Sequence, residues 1–392
     1  MRTAGIAGVF LIELCVLTVL AELVFRLLIP QPIDAFNFTI LERGAGVAEG
    51  AAGGAGDQTR AGYGPYAPHR EMRFGGANVT INSHGWRERE YTFEKPGDTY
   101  RIIVVGDSIV FGHGTEMEDV FHEVLERELN AEFGWWKRFE VIGLGGEAME
   151  TIGARKHMPS YVSAYAPDAV ILSFNLNDVL PLPGSLGELA PAERNPVMTV
   201  PLLRRAQRWM ELNVRPRSHL YHFARENVKN FLRQRGVVSP GMFRDAAFDF
   251  ESGYARVAWR DTSGLLLEIR DYLRSRGVRF VLFVAPYEPQ LSAGVARIYR
   301  DEFMFVFKDT LVEGLPQKVI ARFCAENGIE MIDPLPLLRE GEERKYHRTL
   351  GGMVDFSHPN RHGHRIFAGS LMKYFREFLS EEAGRDGSSP NR

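Results

Sequence analysis

After Arg101 the run Ile102-Ile103-Val104-Val105 is apolar and β-branched, and it breaks off sharply at Gly106-Asp107-Ser108. Such a run reads as a buried strand, and the glycine marks the turn that ends it. In α/β folds the chemistry sits at strand ends. The break therefore places the Ser108 hydroxyl where a substrate could meet it. Near the other end of the chain, Asp355-Phe356-Ser357-His358-Pro359-Asn360 carries a carboxylate and an imidazole three residues apart. A serine hydroxyl is a weak nucleophile at neutral pH, so it needs an imidazole to take its proton. The imidazole in turn needs an acceptor that fixes its tautomer. Ser108, His358 and Asp355 together point to acyl transfer. Asp107 is expected to hold the nucleophile loop by accepting from backbone N–H groups, without itself moving a proton.

Around these residues strands and helices alternate. Strands are expected at Arg101–Val105, Phe139–Leu144, Ala169–Phe174, Val278–Ala285 and Ile329–Ile332. Helices are expected at Glu118–Glu132, Glu150–Tyr165, Tyr254–Arg276, Gln317–Asn327 and His364–Leu379. This rhythm predicts an α/β fold with a parallel sheet and helices on both faces. Pro181–Phe250 interrupts it with proline-rich loops and two amphipathic stretches, Pro201–Leu212 and Ser218–Gln234. Because this insertion leaves directly after Asn177, it emerges at the strand-end face and is read as a lid or substrate wall.

From about Ile81 to Leu371 the order and spacing of these blocks resembles the GDSL, or SGNH, hydrolase family. The resemblance implies a three-layer α/β/α fold with a flavodoxin-like parallel sheet of about five strands, here with a helical insertion. It implies Ser108 as nucleophile, with His358 and Asp355 completing the triad. It also implies an oxyanion hole built from the Ser108 N–H, the Ala148 N–H and the Asn177 side chain. Two positions depart from the family pattern, since Ala148 and Asn175 stand where glycine is usual. Only the N–H of Ala148 is needed, and Gly145 or Gly146 is a fallback donor.

Composition narrows the rest. The 392 residues are 45% hydrophobic, enough for a large core, and the 47 basic and 50 acidic residues are well mixed, with a net charge of −3. That balance leaves no footprint for nucleic acid. Cys15 and Cys324 do not form a disulfide framework. From Ala4 to Ala21 the chain is apolar apart from Glu13 and long enough to cross a bilayer. An uncleaved N-terminal membrane anchor over 1–29 is favoured over cleavage after Ala21, because Glu22–Ile29 continues apolar. Gly44–Gly64 is rich in Gly and Ala and reads as a flexible linker within a linker and lead-in region, 30–76. A hydrolase domain is expected over 77–380 and a disordered tail over 381–392.

The reading at this stage is a membrane-anchored, extracytoplasmic serine esterase with a small-molecule or glycan ester substrate and neither metal nor organic cofactor. The same residues would serve an acyltransferase if a hydroxyl replaced water. A non-catalytic glycan-binding or assembly module that keeps the fold is the alternative from another class. His358, His362 and His364 do not read as a metal site, because no Cys or suitably spaced carboxylate accompanies them. On a helix beginning near Asn360, His362 and His364 also face different sides.

Overall fold

The computed structural model describes residues 2–29, 61–146, 149–188, 217–234, 253–303, 307–350 and 353–385, with a few further positions between 205 and 250. A hairpin comes first, β1 (Glu71–Phe74) against β2 (Ala77–Thr80). The main sheet follows with β3 (Thr99–Gly106), β4 (Arg138–Gly145), β5 (Ala169–Asn175), β6 (Arg279–Ala285) and β7 (Glu330–Ile332). All five are parallel, in the order β4-β3-β5-β6-β7. A second hairpin pairs β8 (Thr349–Leu350) with β9 (Met353–Val354). The main strands fall within two residues of the ranges expected from the sequence.

Why these runs become strands is visible in their burial. Every residue of β3 and β5 is buried, as a sheet covered on both faces requires, so their sequences are continuous apolar runs rather than alternating ones. Successive side chains still point to opposite faces. Ile103, Val105, Ile142, Leu144, Val170 and Leu172 enter one core with α4 (Thr151–Tyr165), α6 (Gly253–Ser275) and α8 (Leu315–Asn327). Ile102, Val104, Val141, Ala169 and Ile171 enter the other with α3 (Phe121–Phe133) and α9 (Arg361–Arg385). The result is the three-layer α/β/α, flavodoxin-like fold expected from the sequence.

The strand order reverses beside β3, because the chain goes outward to β4 and then returns to the other side of β3 with β5. The C-terminal ends of β3 and β5 therefore flank the topological switch point, where α/β sheets open a crevice for ligands. Ser108 follows β3, and Asn175 ends β5.

Outside the sheet the sequence expectations fare unevenly. Residues 44–60 of the expected linker lie outside the described residues, but its last residues are docked. The Gly62 N–H donates to Ser160 Oγ at 2.9 Å, and its carbonyl accepts from Trp86 Nε1 and the Tyr165 hydroxyl, both at 2.9 Å. Helix α9 continues to Arg385, burying Leu379 and Ala383, so the expected tail begins later than 381. The N-terminal segment is helical as α1 (Arg2–Leu28), yet among the described residues no helix is long and apolar enough to cross a membrane. The expected spanning anchor thus lacks support here.

Of the insertion, Pro201–Leu212 lies largely outside the described residues, while α5 (His219–Gln234) forms over the second amphipathic stretch. Helix α5 meets α1. Glu22 of α1 accepts from Ser218 Oγ at 2.7 Å and from the His219 and Leu220 N–H groups at 3.0 Å, capping α5, and Phe25 packs on Phe223.

Candidate active site

Ser108 opens α2 (Ser108–Phe111), a single helical turn set directly on the end of β3. Asp107 is its N-cap and accepts the Ile109 N–H at 3.0 Å. The turn can sit this low only because β4 ends in glycine. A Cβ on Gly145 would lie 2.3 Å from the Phe111 nitrogen, a backbone atom with nowhere to go. The turn ends at Gly112 in the left-handed region, φ +78°, a conformation suited to glycine. Its N–H returns to the Ser108 carbonyl at 3.0 Å, closing the turn around Ser108.

Asp355 and His358 arrive from the opposite end of the chain, in the loop between β9 and α9. His358 Nε2 lies 2.7 Å from Ser108 Oγ, and its Nδ1 lies 2.7 Å from Asp355 Oδ2. The other carboxylate oxygen, Oδ1, accepts the backbone N–H groups of Ser357 at 2.9 Å and His358 at 3.1 Å. Burial alone would raise this carboxyl. The His358 imidazole and those two N–H groups outweigh it and hold Asp355 well below the usual carboxylate range. An ionised Asp355 fixes the proton on Nδ1, which leaves Nε2 as the acceptor facing Ser108.

On the β5 side, Asn175 and Asn177 both turn their side-chain amides to Asp107. Asn175 Nδ2 donates to Asp107 Oδ2 at 2.7 Å and Asn177 Nδ2 to the same oxygen at 3.2 Å. An amide NH₂ has two hydrogens, so the bond to Asp107 orients Asn177 and leaves it one N–H to offer. Asp178 fastens this corner from behind. Its carboxylate accepts the N–H groups of Thr151 at 2.6 Å and Asn175 at 2.9 Å, tying β5 to the start of α4. Burial, and then the negative Asp107, push the Asp178 carboxyl upward.

Of the backbone donors expected at the oxyanion hole, the Ser108 N–H heads α2, where the first N–H groups have no intrahelical acceptor. Ala148 lies outside the described residues. The fallback donor Gly146 is committed elsewhere, because its N–H donates to the Gly106 carbonyl at 3.1 Å.

The other histidines of the C-terminal block separate. His362 is half-buried and pairs with Glu343, whereas His364 is buried and stacks on Phe121. A different trio, Glu88, His122 and Glu123, brings its side-chain oxygens and nitrogen within 4.8 Å of one another beneath α2. Burial, then the neighbouring Glu123 carboxylate, push the Glu88 carboxyl well up.

Four residues near Asp355 and His358 went unread in the sequence. The Tyr299 hydroxyl, on α7 (Ala293–Phe303), donates to the Asp355 main-chain carbonyl at 2.7 Å and also meets the Glu288 carboxyl. Arg348 bonds Glu288 at 3.1 Å, and its own carbonyl accepts the Asp355 N–H at 2.7 Å. His113 lays its ring 4.8 Å from that of His358.

No family model and no curated protein matches this sequence. The chain is similar to solved structures of hydrolases. One is LAE5, an alpha/beta hydrolase from the metagenome of Lake Arreo, at 14% identity over 72% of this chain and 97% of that one, with a TM-score of 0.38. Another is a putative lipolytic protein of the G-D-S-L family from Desulfitobacterium hafniense, at 12% identity over 70% and 98%, TM-score 0.35. A third is a catalytic mutant of Axe2, an acetylxylan esterase from Geobacillus stearothermophilus, at 12% identity over 71% and 95%, TM-score 0.38. Likeness this distant carries no weight for activity or substrate.

Proposed function

We propose that this chain is a serine esterase. The observation that carries the reading is the unbroken hydrogen-bonded line from Ser108 Oγ through His358 to Asp355, with both links at 2.7 Å. In this mechanism Ser108 Oγ attacks the ester carbonyl while His358 Nε2 takes its proton. The C–O double bond opens to a tetrahedral oxyanion, and the Ser108 N–H and Asn177 Nδ2 donate to it. His358 then protonates the departing alcohol, leaving an acyl-serine. Water, deprotonated by the same imidazole, attacks the acyl group and restores the free hydroxyl. Asp355 stays ionised throughout and stabilises the imidazolium. The apolar Ala4–Ala21 segment is the ground for proposing a membrane-associated enzyme, and the resemblance to the GDSL/SGNH family is the ground for proposing an extracytoplasmic one whose natural ester is an O-acyl group on a cell-envelope glycan or lipid.

Hydrolysis of p-nitrophenyl acetate tests the reading. The full chain should turn it over, and Ser108→Ala and His358→Ala should each lose activity by on the order of 10⁴-fold or more with unchanged circular dichroism. Asn177→Ala should lower kcat about 10²- to 10³-fold with KM little changed. Full activity in folded Ser108→Ala would overturn the assignment.

A further inference from the structure

The segment Trp86-Arg87-Glu88-Arg89 reads as a charged surface run, yet Arg87 is only 3% exposed. Taking a guanidinium out of water is costly unless its N–H groups are all spoken for. Among the described residues Nη1 and Nη2 bond only to backbone carbonyls and to no carboxylate, while the buried Nε has no hydrogen-bond partner. Nη1 donates to Phe111 at 2.8 Å and to Gly112 at 2.7 Å, and Nη2 donates to Asn78 at 2.9 Å and to Thr115 at 2.8 Å. Burial pulls its pKa down to about 10, which still leaves it charged at neutral pH.

These partners share a location. Phe111 and Gly112 are the end of the turn that begins at Ser108, Thr115 lies just beyond it, and Asn78 belongs to β2. The last carbonyls of a helix have no partner within the helix and usually turn to water. Here they are taken one by one by side chains from outside. His122, at the start of α3, adds the carbonyl before them, with Nε2 3.1 Å from the Val110 oxygen. Arg87 is itself anchored by its neighbour Glu88, whose Oε2 accepts the Gly143 N–H of β4 at 2.7 Å, whereas Trp86 Nε1 donates to the Gly62 carbonyl of the lead-in and not to the sheet. The guanidinium is thus fixed to the body of the sheet on one side and grips the nucleophile's turn on the other. Because α2 is a single turn, a shift at Phe111 is transmitted to Ser108 with nothing between to absorb it.

We propose that Arg87, with His122, is a positioning residue of the proposed esterase: together they clamp the carbonyl end of the Ser108 turn and so hold Oγ in line with His358. The inference rests on the serine esterase reading for its kinetic part, but the clamp itself is independently measurable. Both side chains are buried. A lysine has one point charge and cannot span carbonyls on three segments.

The test compares Arg87→Lys with Trp86→Phe, which loosens the same segment by removing the bond to Gly62 without touching α2. Arg87→Lys should lose between about ten- and a hundredfold in kcat for p-nitrophenyl acetate, with KM within about twofold. Amide hydrogen exchange at Phe111, Gly112 and His113 should accelerate in step. Trp86→Phe should lower the melting temperature yet keep kcat. If Arg87→Lys does not fold, His122→Gln supplies the second arm, with the same sign and a smaller effect on kcat and exchange. Unchanged kcat and unchanged exchange in a folded clamp variant would overturn the proposal. So would an equal kcat loss in Trp86→Phe at equal loss of melting temperature. A wild-type chain that turns over no ester would refute the esterase reading, and the exchange rates would still decide the clamp.

Discussion

The two halves of the proposed triad are held by different means. Ser108 sits in a turn shaped by backbone: Gly145 lets the turn lie on the sheet, Gly112 closes it, and carbonyl groups take the clamping bonds. Asp355 and His358 sit in a loop shaped by side chains, since Tyr299, Glu288 and Arg348 converge behind it from α7, the end of β6 and the start of β8. A backbone-built site has little slack, because close packing converts any added volume into displacement. A site held by several side-chain bonds loses them one at a time, each with a modest net contribution. The nucleophile should therefore respond to substitution abruptly and the acid/base loop in steps.

Among substitutions that leave Ser108, His358, Asp355 and Asn177 in place, the largest effect should come from Gly145→Ala. Its Cβ would meet the Phe111 nitrogen at 2.3 Å, so α2 must lift. We expect on the order of 10²-fold lower kcat, measured on p-nitrophenyl acetate, with a lower melting temperature. Wild-type kcat in this variant would remove the contrast between the two halves. Tyr299→Phe should be milder. It deletes the bond to the Asp355 carbonyl but leaves the Ser357 and His358 N–H groups on the carboxylate, so a loss of about tenfold or less in kcat is expected, equivalent to one net hydrogen bond. A loss as great as that of Gly145→Ala would show the acid/base loop to be equally intolerant.

The smallest effect concerns stability beneath the acid/base loop. Burial, reinforced by the neighbouring His122 and His347, holds His364 well below its ordinary value in the folded chain. Between that depressed value and the unfolded value of about 6.5, the unfolded state binds more protons, so stability falls as pH falls, by up to about 1.4 kcal/mol per pH unit. Thermal melts at pH 7 and pH 5 should show a larger drop for the wild type than for His364→Leu. Identical drops would mean that this ring does not resist protonation in the folded state.

What the sequence could and could not disclose follows the same division. The five strands were legible because a sheet covered on both faces demands continuous apolar runs, and β3 and β5 supply them. Ser108, Asp355 and His358 were legible because the chemistry constrains residue type and spacing together. Tyr299 was not, since an aromatic on an amphipathic helix looks like core whether or not its hydroxyl has work to do. Glu288 and Arg87 look like solvated charges, and only tertiary burial distinguishes them. The Gly and Ala composition of Gly44–Gly64 suggested a linker throughout. Yet Gly62 is glycine because its φ is +84° and Ala164 lies 2.5 Å from where a Cβ would be. The segment expected as a lid falls largely outside the described residues; its described helix α5 meets α1 through Glu22.

The central claim is that Ser108 is a nucleophile activated by His358, and covalent labelling tests it most directly. The full chain treated with a fluorophosphonate, digested and read by mass spectrometry should carry one phosphonyl adduct, on the peptide containing Ser108. That labelling should be lost in Ser108→Ala and strongly slowed in His358→Ala. An adduct on another residue, or labelling that persists in folded Ser108→Ala, would contradict the account.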